Sequence, residues 1–109
     1  MIILMYMFFF TGVLLMVLSI PMILGKIPPN GLYGFRVKKT MENPDIWYPV
    51  NAYSGKWLLA VGLIEALAAV GLYYYRGLSV DMYAYAVLAV WVVAFGVAIV
   101  LSVRYMNSL

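Results

Sequence analysis

Charged residues are missing from long stretches of this chain and crowded into one. Met1 to Gly25 holds none, Trp57 to Tyr75 holds only Glu65, and Met82 to Val103 holds none. At 1.5 Å of helical rise per residue, each run reaches the roughly 30 Å hydrocarbon thickness of a bilayer. A cleaved signal peptide would open on basic residues and carry an apolar run of about 7–15 residues. The first run does neither, so it reads as a membrane span with Pro21 near its end. The pattern predicts transmembrane helices over 2–24, 57–75 and 82–103. Residues 76–81, beginning at Arg76, form a short polar hairpin between the last two.

The polar residues gather in segment 26–56. Ile27-Pro28-Pro29-Asn30-Gly31 predicts an extended entry followed by a turn, because Asn and Gly both tolerate positive φ. Asn43-Pro44-Asp45 is a helix start, with a capping Asn, Pro at the first helical position and an acid in the first turn. A short interfacial helix is expected from Pro44 to about Ser54, leading into the second span and bent at Pro49, where one backbone donor is missing. Tyr73, Tyr74, Tyr75, Tyr83 and Tyr85 suit one membrane interface, and Trp47, Tyr48 and Trp57 the other.

Composition strengthens the membrane reading. The chain is 67% hydrophobic and 10% charged, against about 45–50% and 25% in soluble domains. The fold class is therefore an all-α membrane protein, with three transmembrane helices and a short interfacial helix between the first two. Lys26, Arg36, Lys38, Lys39, Lys56 and Arg104 fall on one side of such a bundle and Arg76 alone on the other. The positive-inside rule then places the 26–56 loop and the C-terminus in the cytoplasm of a multi-pass cell-membrane protein, with the N-terminus outside.

The same counts bear on chemistry. Without Cys or His there is no thiolate nucleophile, imidazole base or usual zinc ligand set. Ser54 and Lys56 stand two apart and point to different sides of a helix, and Glu65 has no second intramembrane acid beside it. Catalysis, a bound metal and a cofactor are not expected. The Lys38-Lys39 doublet suits anionic lipid and is too short to mark nucleic-acid binding.

Ile27-Pro28-Pro29-Asn30-Gly31-Leu32-Tyr33-Gly34-Phe35-Arg36, then Thr40, Asn43-Pro44-Asp45-Ile46-Trp47, Asn51 and Gly55 together resemble the signature of the SdpI family. Val37 and Pro49 depart from its usual pattern, and three spans are fewer than the roughly doubled membrane region of its founding member. The resemblance implies a prokaryotic polytopic membrane protein. It also implies immunity to a secreted killing peptide that collapses the membrane potential, with signalling through a transcriptional repressor held at the membrane. Partners expected on this basis are membrane lipids, a peptide toxin or a cytoplasmic regulator, and a second copy in a homodimer.

The candidate site residues are Asn30, Gly34, Arg36, Thr40, Trp47 and Asn51. A loop stiffened by Pro and Gly can present Arg36 as a rigid fork for a carboxylate, a phosphate or helix-end carbonyls. The amides of Asn30 and Asn51 can each donate and accept. Either these residues lock the loop onto the bundle, or they touch a partner. Glu65 lies two helical turns into the second span, where a carboxylate is costly. It suits a proton or cation site in a small oligomeric transporter or channel, or a hydrogen-bonded contact with Ser19, Thr11 or a Tyr. Gly62, Ala66 and Ala69, and Ala94 with Ala98, offer small surfaces for close helix packing.

Overall fold

The computed structural model describes residues 1–75 and 77–109, so the orientation argument from Arg76 lies outside the described residues. Four helices follow in order: α1 (Ile2–Ile23), α2 (Lys38–Glu42), α3 (Pro44–Tyr73) and α4 (Val80–Asn107). No strand occurs among the described residues. α1, α3 and α4 are each long and apolar enough to cross a membrane. The chain thus has the all-helical, three-span architecture expected, with a short helix between the first two spans.

Helix ends follow local chemistry. Asn43 Oδ1 accepts the Asp45 N–H at 3.0 Å and Pro44 takes the first helical position, as the sequence predicts. Ser79 Oγ caps α4 by accepting the Met82 N–H at 3.1 Å. α1 stops where Gly25 turns left-handed (φ +69°). There the Lys26 N–H reaches the Pro21 carbonyl at 3.0 Å and the Gly25 N–H that of Met22 at 3.2 Å, pairing carbonyls a helix end leaves free.

Two expectations about segment 26–56 change. The helix starting at Pro44 leads into the second span as expected, but it is one unbroken helix through Pro49 rather than a separate interfacial piece. A helix of that length reaches about 45 Å, longer than the hydrocarbon core, so its first turns stand beyond the apolar layer. The separate short helix is α2, just upstream.

α3 is the central rod, packed along both α1 and α4. It meets α1 through an unusually close crossing. A Cβ added to Gly12 would lie 2.5 Å from the Gly62 carbonyl oxygen and 2.9 Å from the Ala66 nitrogen, and one added to Gly62 would lie 2.5 Å from the Gly12 oxygen. Small residues at such positions let helix backbones touch. At the hairpin end all three spans converge on Met5, Tyr83 and Val87, with Phe8 edge-on to Tyr83 at 6.2 Å. Tyr83 is therefore not a belt residue. It is 0% exposed, and its hydroxyl donates to the Ala69 carbonyl at 2.7 Å. Tyr74, Tyr75 and Tyr85 keep the exposure a belt needs.

Candidate functional site

The opposite end carries the polar segment. Asn30 organises its first turn by using all four hydrogen-bonding positions of its amide. Nδ2 donates to the carbonyls of Pro28 and Tyr33, both at 2.9 Å. Oδ1 accepts the N–H groups of Leu32 and Tyr33 at 2.8 and 2.7 Å. The loop is then fastened to α3 twice. Trp47 Nε1 donates to the Ile27 carbonyl at 2.7 Å, and Asn51 Oδ1 accepts the Phe35 N–H at 2.6 Å while its Nδ2 donates to the Trp47 carbonyl at 2.9 Å.

Gly34 makes that second fastening possible. Its φ of +113° is a backbone conformation side-chain-bearing residues rarely adopt, and a Cβ there would lie 2.7 Å from Asn51 Oδ1. Thr40 closes the next turn: its buried hydroxyl accepts the Val37 N–H at 3.0 Å and sits 2.9 Å from the carbonyls of both Phe35 and Val37. The hydroxyl has one proton, so it serves one of those carbonyls at a time. Trp47, expected at the membrane interface, is instead 0% exposed within this network. An amphipathic indole suits either place, and the Ile27 carbonyl decides it.

Five of the six candidate residues thus meet in one internal network, and the sixth does not join it. Arg36 is exposed and edges a cavity of about 460 Å³. The cavity is walled by Leu15 and Leu18 of α1 and Phe95 and Ile99 of α4, with Leu58 of α3 between them. The same loop holds out Leu32, also on the cavity rim and 93% exposed, a residue that the sequence alone does not single out. Lys39 Nζ donates to the Met106 carbonyl at 3.3 Å, tying α2 to the C-terminal end of α4, where a cation is favoured. Loop and C-terminus accordingly share one end of the molecule. Burial pushes the Tyr33 phenol above its ordinary range, and its hydroxyl has no partner among the described residues.

Glu65 stands apart from this end. It is 3% exposed on α3, its Oε2 has no hydrogen-bond partner among the described residues, and it does not line the cavity. The contacts expected for it with Ser19 and Thr11 are not made. Those hydroxyls donate back to their own helix, to Met16 and Met7 at 2.6 and 2.7 Å.

The lock can be tested directly. Trp47→Phe keeps the ring and removes the donor to Ile27, leaving a carbonyl unpaired at a cost of about 1–3 kcal/mol. The protein in detergent should melt at a lower temperature than the wild type; an unchanged melt would show that the indole bond holds nothing.

A polar loop locked by Asn, Thr and Trp onto the central helix of a three-span bundle defines a small integral membrane protein with one chemically elaborate end. The family model of the SdpI/YfhL protein family matches residues 26–106, that is, the locked loop, α3 and nearly all of α4. The chain belongs to the SdpI/YfhL family, whose general role is immunity and signalling. No curated protein and no solved structure matches it.

Proposed function

We propose that this protein works without catalysis, as a membrane-embedded receptor that grips a partner at the Arg36 end, in the immunity and signalling manner of its family. One observation carries the reading: Asn30, Gly34, Thr40, Trp47 and Asn51 hold the loop rigid, Leu32 through its backbone N–H included, while the side chains of Arg36 and Leu32 are left exposed. A preorganised loop loses little conformational freedom on binding. A guanidinium and an exposed aliphatic side chain on the rim of one cavity fit a peptide that offers both a carboxylate and an apolar residue. The excess of Lys and Arg on this side supports a cytoplasmic loop, within reach of a killing peptide at the inner leaflet or of a cytoplasmic regulator.

The test is protection of cells. In a host challenged with a membrane-depolarising killing peptide, the wild type should preserve the potential reported by a voltage-sensitive dye. Arg36→Gln at equal abundance should lose that protection, and Arg36→Lys should retain part of it. Full protection by Arg36→Gln, or none by the wild type, would overturn the proposal.

A further inference from the structure

We infer that the cavity between α1 and α4 is a binding site for an anionic phospholipid of the surrounding leaflet, one acyl chain lying in the cavity and the phosphate on Arg36. Four observations converge on it. First, the volume of about 460 Å³ lies within the range of about 300–1,000 Å³ typical of small-molecule sites. Second, apart from Ser54 and Ser102 its span walls are aliphatic and aromatic side chains of α1, α3 and α4. α1 and α4 meet at the hairpin end and are held mainly through α3 elsewhere, so a gap between them at the loop end opens towards the hydrocarbon layer. An apolar cavity opening on lipid is filled by what surrounds it.

Third, the charged lining group lies at one end, Ser54 and Ser102 being the polar side chains of the walls. Arg36 and Tyr33 edge the cavity on the loop side, at the level where headgroups lie if the three spans cross as their length requires. Fourth, among the described residues neither side chain is committed to another partner, Arg36 being exposed and the Tyr33 hydroxyl buried but unpaired. Arg36 stands outside the loop network, and the Tyr33 hydroxyl is a neutral donor without a partner among the described residues. Charge complementarity selects the headgroup. Lys26, Arg36, Lys38 and Lys39 outnumber Glu42 and Asp45 along 26–45, and a guanidinium binds a phosphodiester oxygen pair through two parallel N–H donors. A zwitterionic lipid would bring its own cation to a basic surface and gain less.

The experiment is lipid retention by the whole chain. The protein is reconstituted in nanodiscs holding equal amounts of phosphatidylglycerol and phosphatidylcholine, extracted in mild detergent, and examined by native mass spectrometry. Phosphatidylglycerol should be retained at one molecule per chain in preference to phosphatidylcholine. Arg36→Gln should lower its retention about tenfold, the worth of one charged hydrogen bond. Ala98→Leu, which grows a side chain from a residue lining the cavity, should abolish retention while helical content by circular dichroism stays unchanged. Should that variant misfold, Val103→Phe on the same wall serves instead.

Equal retention of both lipids, retention unaffected by both substitutions, or a free fatty acid in place of the phospholipid would overturn the inference. Arg36 is shared with the peptide reading, but the filled-cavity variants leave Arg36 and Leu32 in place. Lost lipid with intact protection separates the two, and retained phosphatidylglycerol with no protection by the wild type overturns the peptide reading alone.

Discussion

Gly62→Leu should detach α1 from the bundle, and even Gly62→Ala should lower stability by about 3 kcal/mol, the upper end of the usual overpacking range. The clash is with backbone, which cannot turn away as a side chain can. A single added carbon would sit 2.5 Å from the Gly12 carbonyl oxygen, 2.8 Å from Met16 Cγ and 3.0 Å from the Met16 nitrogen. The crossing is reciprocal, so Gly12→Ala should behave alike, its carbon meeting the Gly62 oxygen at 2.5 Å. Gly96 is the control. It also lies within a span, but a carbon added there would meet nothing within 4 Å, and Gly96→Ala should be neutral or stabilising by about 0.5–1 kcal/mol because helical Gly is entropically costly. Unfolding of the reconstituted protein by graded denaturing detergent reads all of these. Wild-type stability of Gly62→Ala would mean that the helices do not cross there. Losing α1 also removes Leu15 and Leu18 from the cavity wall, so lipid retention should fail with it.

The spans were legible because bilayer thickness imposes a length that charge-free runs reveal directly, and the start of α3 because capping is local: Asn43, Pro44 and Asp45 are neighbours. That Pro49 leaves α3 a single helix was hidden. Pro49 removes one donor near the start of a 30-residue helix, and the packing of the remaining turns outweighs that loss. α2 was hidden because its first position follows Val37, which has no side-chain acceptor; Thr40, three residues on, reaches back to the Val37 N–H instead. Trp47 and Tyr83 were misplaced for a shared reason. An amphipathic aromatic suits an interface or a buried site with a carbonyl in reach, and the carbonyls concerned, of Ile27 and Ala69, are distant in sequence. Gly62 was visible as a small packing residue, but its counterpart Gly12 is fifty positions away in an otherwise bulky run. The six candidate residues stand together in the family pattern, but the sequence does not say which of them hold the loop. Their division into a lock and a presented arginine required the hydrogen bonds.

That division makes a second strong prediction, in which function is lost with Arg36 untouched. Gly34→Ala forces a Cβ into a left-handed backbone region, at a cost of about 1–2 kcal/mol. It also drives that carbon to 2.7 Å from Asn51 Oδ1 and 3.2 Å from the Trp47 ring. The oxygen it strikes is the one accepting the Phe35 N–H, so the clash and the broken bond are one event. Asn51→Ala removes the same oxygen and leaves the Phe35 N–H unpaired, costing about 1–3 kcal/mol. Because both changes destroy one contact, their effects should not add. The double variant should be more stable than the sum of the single losses implies, by about 1 kcal/mol or more, as expected for residues in direct contact. Strict additivity in thermal unfolding would mean that Gly34 and Asn51 act separately and that no lock exists. Arg36 stands two residues beyond Gly34, so in each single variant the guanidinium remains in the chain but loses its fixed position. Peptide protection should then fall towards that of Arg36→Gln. The α1–α3 crossing at Gly12 and the converged hairpin end around Tyr83 contain none of these residues, and helical content should be retained. A protein still folded, still carrying its arginine and no longer protective would place the activity in the loop's rigidity as much as in its charge.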